Sequence, residues 1–86
     1  MASVEKVCIV RGEVPEIQGY LEFFRFKYDR NAEAWTRIVP VAEDGTADLS
    51  FTTDKRQIKM LQTADAFQSR LAKRLRGKHR VSVSFE

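Results

Sequence analysis

The chain reads as a small α+β fold: an antiparallel sheet of about five strands, in the order β-β-β-β-α-β, with one long amphipathic basic helix packed on one face. Three observations predict it. Apolar residues alternate with period two through much of the first 52 positions. Turn-forming clusters separate those runs at short intervals. From Ile58 onward the apolar spacing changes to the three and four of a helix. Short strands joined by tight turns pair antiparallel, and one helix on the sheet closes a two-layer core. At 86 residues the whole chain, 1–86, is a single domain.

The first strand is VEKVCIVR, residues 4–11, with Val4, Cys8 and Val10 on one face and Val7 and Ile9 on the other. GEVPEIQG then breaks the alternation with Gly12, Pro15 and Gly19 and reads as a loop. The second strand is YLEFFRFKY, residues 20–28, placing Tyr20, Glu22, Phe24, Phe26 and Tyr28 on one side and Leu21, Phe23, Arg25 and Lys27 on the other. DRNAE is a turn built on Asp29 and Asn31.

The third strand is AWTRIVPV, residues 34–41, with Trp35, Val39 and Val41 on one face and Arg37 between them. Pro40 has no N–H for a ladder, so this strand is expected to be an edge or to end there. AEDG turns the chain into a weaker fourth strand, TADLSFT, residues 46–52.

The apolar residues at 58, 61, 64, 67, 71 and 75 form one helical stripe, which predicts a helix over 55–76, about 33 Å long at 1.5 Å per residue. Thr53 or Asp54 caps its start, Gln57 stands in a capping-box position, and Gly77 suits its end. A rival reading closes a hairpin at Met60–Leu61 and starts a shorter helix at a Thr63 cap; the unbroken stripe favours the long helix. The last strand is formed by Val81, Val83 and Phe85, alternating with polar residues.

Charge is divided unevenly. Residues 1–54 carry ten acids and six bases and residues 55–86 two acids and nine bases, so a net charge of +3 conceals parts of −4 and +7. On a helical wheel, Lys55, Arg56, Lys59, Arg70, Lys73 and Arg74 share one arc away from the apolar stripe, and Arg76, Lys78 and Arg80 extend it. A solvated helix face usually interleaves Glu with Lys at i, i+4, because each pair adds a few tenths of a kcal/mol. This segment contains no glutamate, and Arg70, Lys73 and Arg74 repel one another. Lys55, Arg56 and Lys59 would also sit at the unfavourable positive end of the helix dipole. Charge kept against these penalties points to a polyanion: first nucleic acid, DNA or RNA, held by its phosphates without sequence readout. The alternative is a protein-interaction module, docking the helix or a sheet edge on an acidic protein surface.

Phe23 and Arg25, with Trp35 and Arg37 on the next strand, have the chemistry of a base-stacking sheet, although the glycine-spaced aromatic signature of RNA-recognition sheets is missing. Aromatics on both faces of the second strand leave one face for solvent or for a second copy, so a homodimer is an alternative.

Catalytic patterns are missing. His79 stands alone, no Cys/His set has zinc spacing, and the four glycines are too scattered for a phosphate loop, so neither metal nor cofactor is predicted. Cys8, the single cysteine, falls in an apolar strand and reads as a small buried hydrophobe. The expectation is a non-enzyme. Apolar runs of only a few residues predict no membrane span and no signal peptide, and an unstapled small fold suits the cytoplasm.

Overall fold

The computed structural model describes residues 3–12, 15–76 and 80–86. In chain order its elements are β1 (Val4–Arg11), a 3-10 turn (Pro15–Ile17), α1 (Gln18–Phe23), β2 (Lys27–Asp29), β3 (Ala34–Val41), β4 (Ala47–Asp48), β5 (Phe51–Thr52), β6 (Gln57–Ile58), β7 (Leu61–Gln62), α2 (Ala64–Arg74) and β8 (Ser82–Phe85). The chain is a small α+β fold with an antiparallel sheet and two helices. The main sheet runs β7-β4-β3-β1-β8, β2 lies beside β3, and β5 and β6 pair separately.

β1 and β3 form the centre, antiparallel from Val4↔Val41 to Val10↔Trp35. The expected alternation sets Cys8 and Val10 of β1, Val39 and Val41 of β3 and Val83 of β8 on one face, where they are buried. Onto that face α2 lays Phe67, Leu71 and Leu75, and α1 with its flanks adds Ile17, Leu21, Phe24 and Phe26. Removing a Leu- or Phe-sized side chain from water contributes about 1.5–3 kcal/mol, so this face accounts for most of the stability. Gln68 of α2 accepts the Val83 N–H at 2.9 Å, tying the helix to the outer strand.

Pro40 neither ends β3 nor puts it at an edge. Val7 and Glu86 exchange both backbone bonds, at 2.8 and 2.9 Å. By antiparallel alternation Glu5 also turns its amide toward β8, so Glu5↔Pro40 is a non-hydrogen-bonded pair and Pro40's nitrogen points away from β1. On that side β2 pairs only with residues 34–36 and β4 only with Val41. The missing donor falls in the gap.

Residues 20–28 are not one strand. Ile17, Leu21 and Phe24 are buried at helical spacing, and α1 ends in a Schellman motif: Arg25 N–H donates to Glu22 O (2.9 Å) and Phe26 N–H to Leu21 O (3.0 Å). Arg25 takes the left-handed position at φ 70°, which reverses the chain before β2.

The long helix is also corrected. Residues 47–62 form a hairpin in unbroken register, from Ala47↔Gln62 through Leu49 N–H···O Met60 to Thr52↔Gln57. It bends where the Ser50 hydroxyl, not a backbone carbonyl, accepts the Met60 N–H at 3.0 Å, which divides the fourth strand between the two sheets. Ile58 and Met60 turn inward while Gln57, Lys59 and Leu61 turn outward, the period of a strand. Thr53 does accept N–H bonds, from Lys55 and Arg56, but in the hairpin turn. The helix starts at Thr63, whose hydroxyl accepts Ala66 N–H at 3.1 Å, so α2 has 11 residues. The helix stop expected at Gly77 lies outside the described residues.

Candidate functional site

Arg37 projects from β3 onto the core face, between Trp35 and Val39. Its guanidinium donates to Phe24 O (3.0 Å), Leu49 O (2.9 Å) and Ser50 O (2.6 Å). One fork thus joins the end of α1 to the bend of the hairpin. Burial draws its pKa below the ordinary arginine value, and Asp48 opposes this. Arg25 donates to Thr52 O at 2.6 Å and lies 5.8 Å from the centre of the Phe51 ring. Both arginines expected to meet bases therefore bond the hairpin's carbonyls. Trp35 packs against Tyr28, ring centres 5.6 Å apart. Phe23, on α1 and not on a strand, packs against Phe51 at 4.8 Å and Phe24 at 5.8 Å, yet remains 50% exposed. The four do not share one surface.

A groove opens where α1, the hairpin and α2 meet. Its volume is about 440 Å³, and its wall includes Tyr20, Phe23, Ile58, Lys59, Leu61, Gln62 and Arg70. No carboxylate lines it. Leu61, 60% exposed, stands on its rim. Arg70 Nε donates to Tyr20 Oη at 2.6 Å, and Arg74 lies 4.3 Å from the centre of the same ring. α2 thus grips α1 through two arginines, and the grip holds Arg70 at the groove. Leu61 also borders a second cleft, of about 490 Å³, that contains Asp44 and Asp48. Acid and base are sorted to the two clefts that share it. Hydrogen bonds from Ser50 hold the Asp48 carboxyl below the usual carboxylate range, with weaker help from Arg37 and Lys59.

The basic residues do not share one helix face. Lys55 and Arg56 sit at the tip of the β5–β6 turn, Lys59 in the hairpin, and Arg70, Lys73 and Arg74 on α2, with Arg76 just beyond it. All seven are exposed, as is Arg80, while Lys78 and His79 lie outside the described residues. Among the described residues the only ion pair is Arg11–Glu86 at 3.3 Å, so none of these cations is neutralised by contact with a described carboxylate. The fold brings Lys59 and Arg70 to one groove although they belong to different elements.

The sequence reading missed Tyr20, Ile58, Leu61 and Gln62 as groove residues because it put Tyr20 in a strand and the others in a helix. The helical spacing of Ile17, Leu21 and Phe24 and the alternation of Ile58 and Met60 were the signals that place them.

Cys8 is fully buried, and burial pushes its thiol up to about 12, with Arg37 pulling weakly the other way. A thiol held protonated is a core side chain, not a nucleophile. Among the described residues no three of His, Cys, Asp and Glu stand close enough to share a metal ion. Among them, too, no helix is long and apolar enough to cross a membrane. The chain matches no protein-family model, no curated protein and no solved structure.

Proposed function

We propose that this chain is a small non-enzymatic nucleic-acid-binding protein that holds phosphates on the cations of its C-terminal third, largely without sequence preference. One observation carries the reading: Lys55, Arg56, Lys59, Arg70, Lys73, Arg74 and Arg76 are all exposed, and none is in an ion pair with a described carboxylate. Exposed cations on three separate elements give up the stabilisation that interleaved acids would supply, and phosphates restore it on binding. The acids that would repel a polyanion do not oppose this: Asp44 and Asp48 line the other cleft, beyond Leu61.

The test is the salt dependence of binding to labelled DNA and RNA oligomers, followed by anisotropy. Arg70 and Arg74 hold Tyr20, so the informative variant is the triple Lys55→Gln, Arg56→Gln, Lys73→Gln, whose side chains make no hydrogen bond or ion pair among the described residues. Wild-type affinity should fall steeply between about 50 and 200 mM salt. The triple variant should flatten the log–log slope by about 2 on single strands, or nearly 3 on duplex, with an unchanged thermal melt. An unchanged slope, or no binding at low salt, overturns the proposal. The second outcome directs attention to an acidic protein surface as the partner.

A further inference from the structure

Resting on that reading, we infer that the groove between α1, the hairpin and α2 takes an unstacked base of a single strand, with Phe23 as the stacking platform and Lys59 and Arg70 on the flanking phosphates. Four observations converge on it. The groove is concave, and its volume of about 440 Å³ lies within the roughly 300–1,000 Å³ typical of small-ligand sites. Its cations come with no carboxylate in the lining, so its charge complements a phosphodiester strand. Phe23 leaves half of its ring in water, and Phe24 and Phe51 hold that ring edge-on from behind. An aromatic fixed before binding loses little freedom when a base stacks on it. Finally, Gln62 offers an amide donor and acceptor in the same wall, the hydrogen-bonding complement of a base edge.

A duplex does not fit this description. Its bases are stacked and paired, and their faces cannot reach a ring inside a groove. α2 is only 11 residues long, and its Arg70 and Arg74 are held on Tyr20. Duplex would meet the outer cations alone, whereas a single strand would meet those cations and the ring together. This predicts a preference for single strands that depends on Phe23 and not on salt.

The experiment compares wild type, Phe23→Ala and Leu61→Gln on a labelled single strand and on the duplex of the same sequence, with a 2-aminopurine base in a second single strand. Leu61→Gln changes an exposed rim residue and covers the case in which Phe23→Ala fails to fold, as judged by its thermal melt. The single strand should bind at least tenfold tighter than duplex. Phe23→Ala should weaken single-strand binding by about 5- to 150-fold, the range for loss of one stacked base, and leave duplex affinity and the salt slope unchanged. Leu61→Gln should weaken single-strand binding in the same selective way, and 2-aminopurine emission should change on binding wild type. If duplex binds as tightly as the single strand, or if both folded variants bind the single strand like wild type, the inference fails while phosphate binding by the protein stands. If no nucleic acid binds at low salt, the proposed function fails and the inference with it. If an acidic amphipathic peptide binds through Phe23 while nucleic acid affinity is indifferent to it, the groove belongs to a protein partner and the inference is overturned.

Discussion

Replacing Arg37 by methionine should be the most damaging single change outside the apolar core. The substitution keeps an unbranched stem of similar reach and removes three charge-assisted hydrogen bonds, to Phe24 O, Leu49 O and Ser50 O. A hydrogen bond to a charged group contributes about 1.5–3 kcal/mol when its loss strands a buried partner. These carbonyls are only part-buried and two share one nitrogen, so about 1 kcal/mol each is the better figure, or about 3 kcal/mol in total. At about 0.05–0.15 kcal/mol per residue the domain has roughly 4–13 kcal/mol to lose from. Each kcal/mol shifts Tm by about 4–8 °C at this size, so Tm should fall by about 12–24 °C. Urea unfolding followed by Trp35 fluorescence should show a lower midpoint with an unchanged m-value. Arg37→Lys supplies a point charge without the fork and should recover no more than about a third of the loss. A loss under about 0.5 kcal/mol for Arg37→Met, the range of ordinary surface changes, would mean that water serves those carbonyls equally well and that the clamp does not hold the hairpin to α1.

Three further outcomes are expected. Cys8 has a folded pKa near 12 against an ordinary value of 9.0, so the unfolded chain loses its thiol proton first; stability should be unaffected by this thiol below pH 9 and fall through pH 9–12, by up to about 1.4 kcal/mol per pH unit, a slope that Cys8→Ala should remove from urea titrations. The native thiol should also resist a disulfide reagent until urea unfolds the chain. Thr63→Ala deletes the hydroxyl that accepts Ala66 N–H and should cost about 1 kcal/mol with reduced helical ellipticity. Arg76→Gly relieves a left-handed residue at φ 56° and should stabilise the fold by about 0.5–1 kcal/mol while weakening oligonucleotide binding, read from paired melting and anisotropy experiments.

Much of the sheet was legible because its signal is local. β1 and β3 fall where alternation puts them, and the Asp29 turn forms as its residues imply, with Asp29 Oδ1 accepting Asn31 N–H at 2.9 Å. The two large errors share one cause. Around Phe23 and around Met60, aromatic and apolar residues are dense enough to satisfy period two and period 3.6 together, and packing decides between them. For residues 18–24 the deciding fact is that Ile17, Leu21 and Phe24 reach the same core as Phe67. For residues 57–62 it is the partner strand at 47–52, which no local pattern reveals. The site suffers the same loss. Its cations were readable one by one as an excess without acids, but the meeting of Lys59 with Arg70 depends on a hairpin bend set by Ser50.

Both helices end on an arginine in the left-handed region, Arg25 at φ 70° and Arg76 at φ 56°, where glycine would be easier by about 1 kcal/mol. The two positions differ in what they gain. Arg25 recovers the strain inside the fold, since its guanidinium holds Thr52 O and lies against Phe51. Arg76 makes no side-chain hydrogen bond or ion pair among the described residues and stands exposed beside Lys73 and Arg74. A cation that strains its own backbone and repels its neighbours, with nothing in the fold to gain from it, fits a residue retained for a partner outside the fold. That is why one arginine-to-glycine change should separate stability from binding at Arg76, while the same change at Arg25 should strip the hairpin of its anchor.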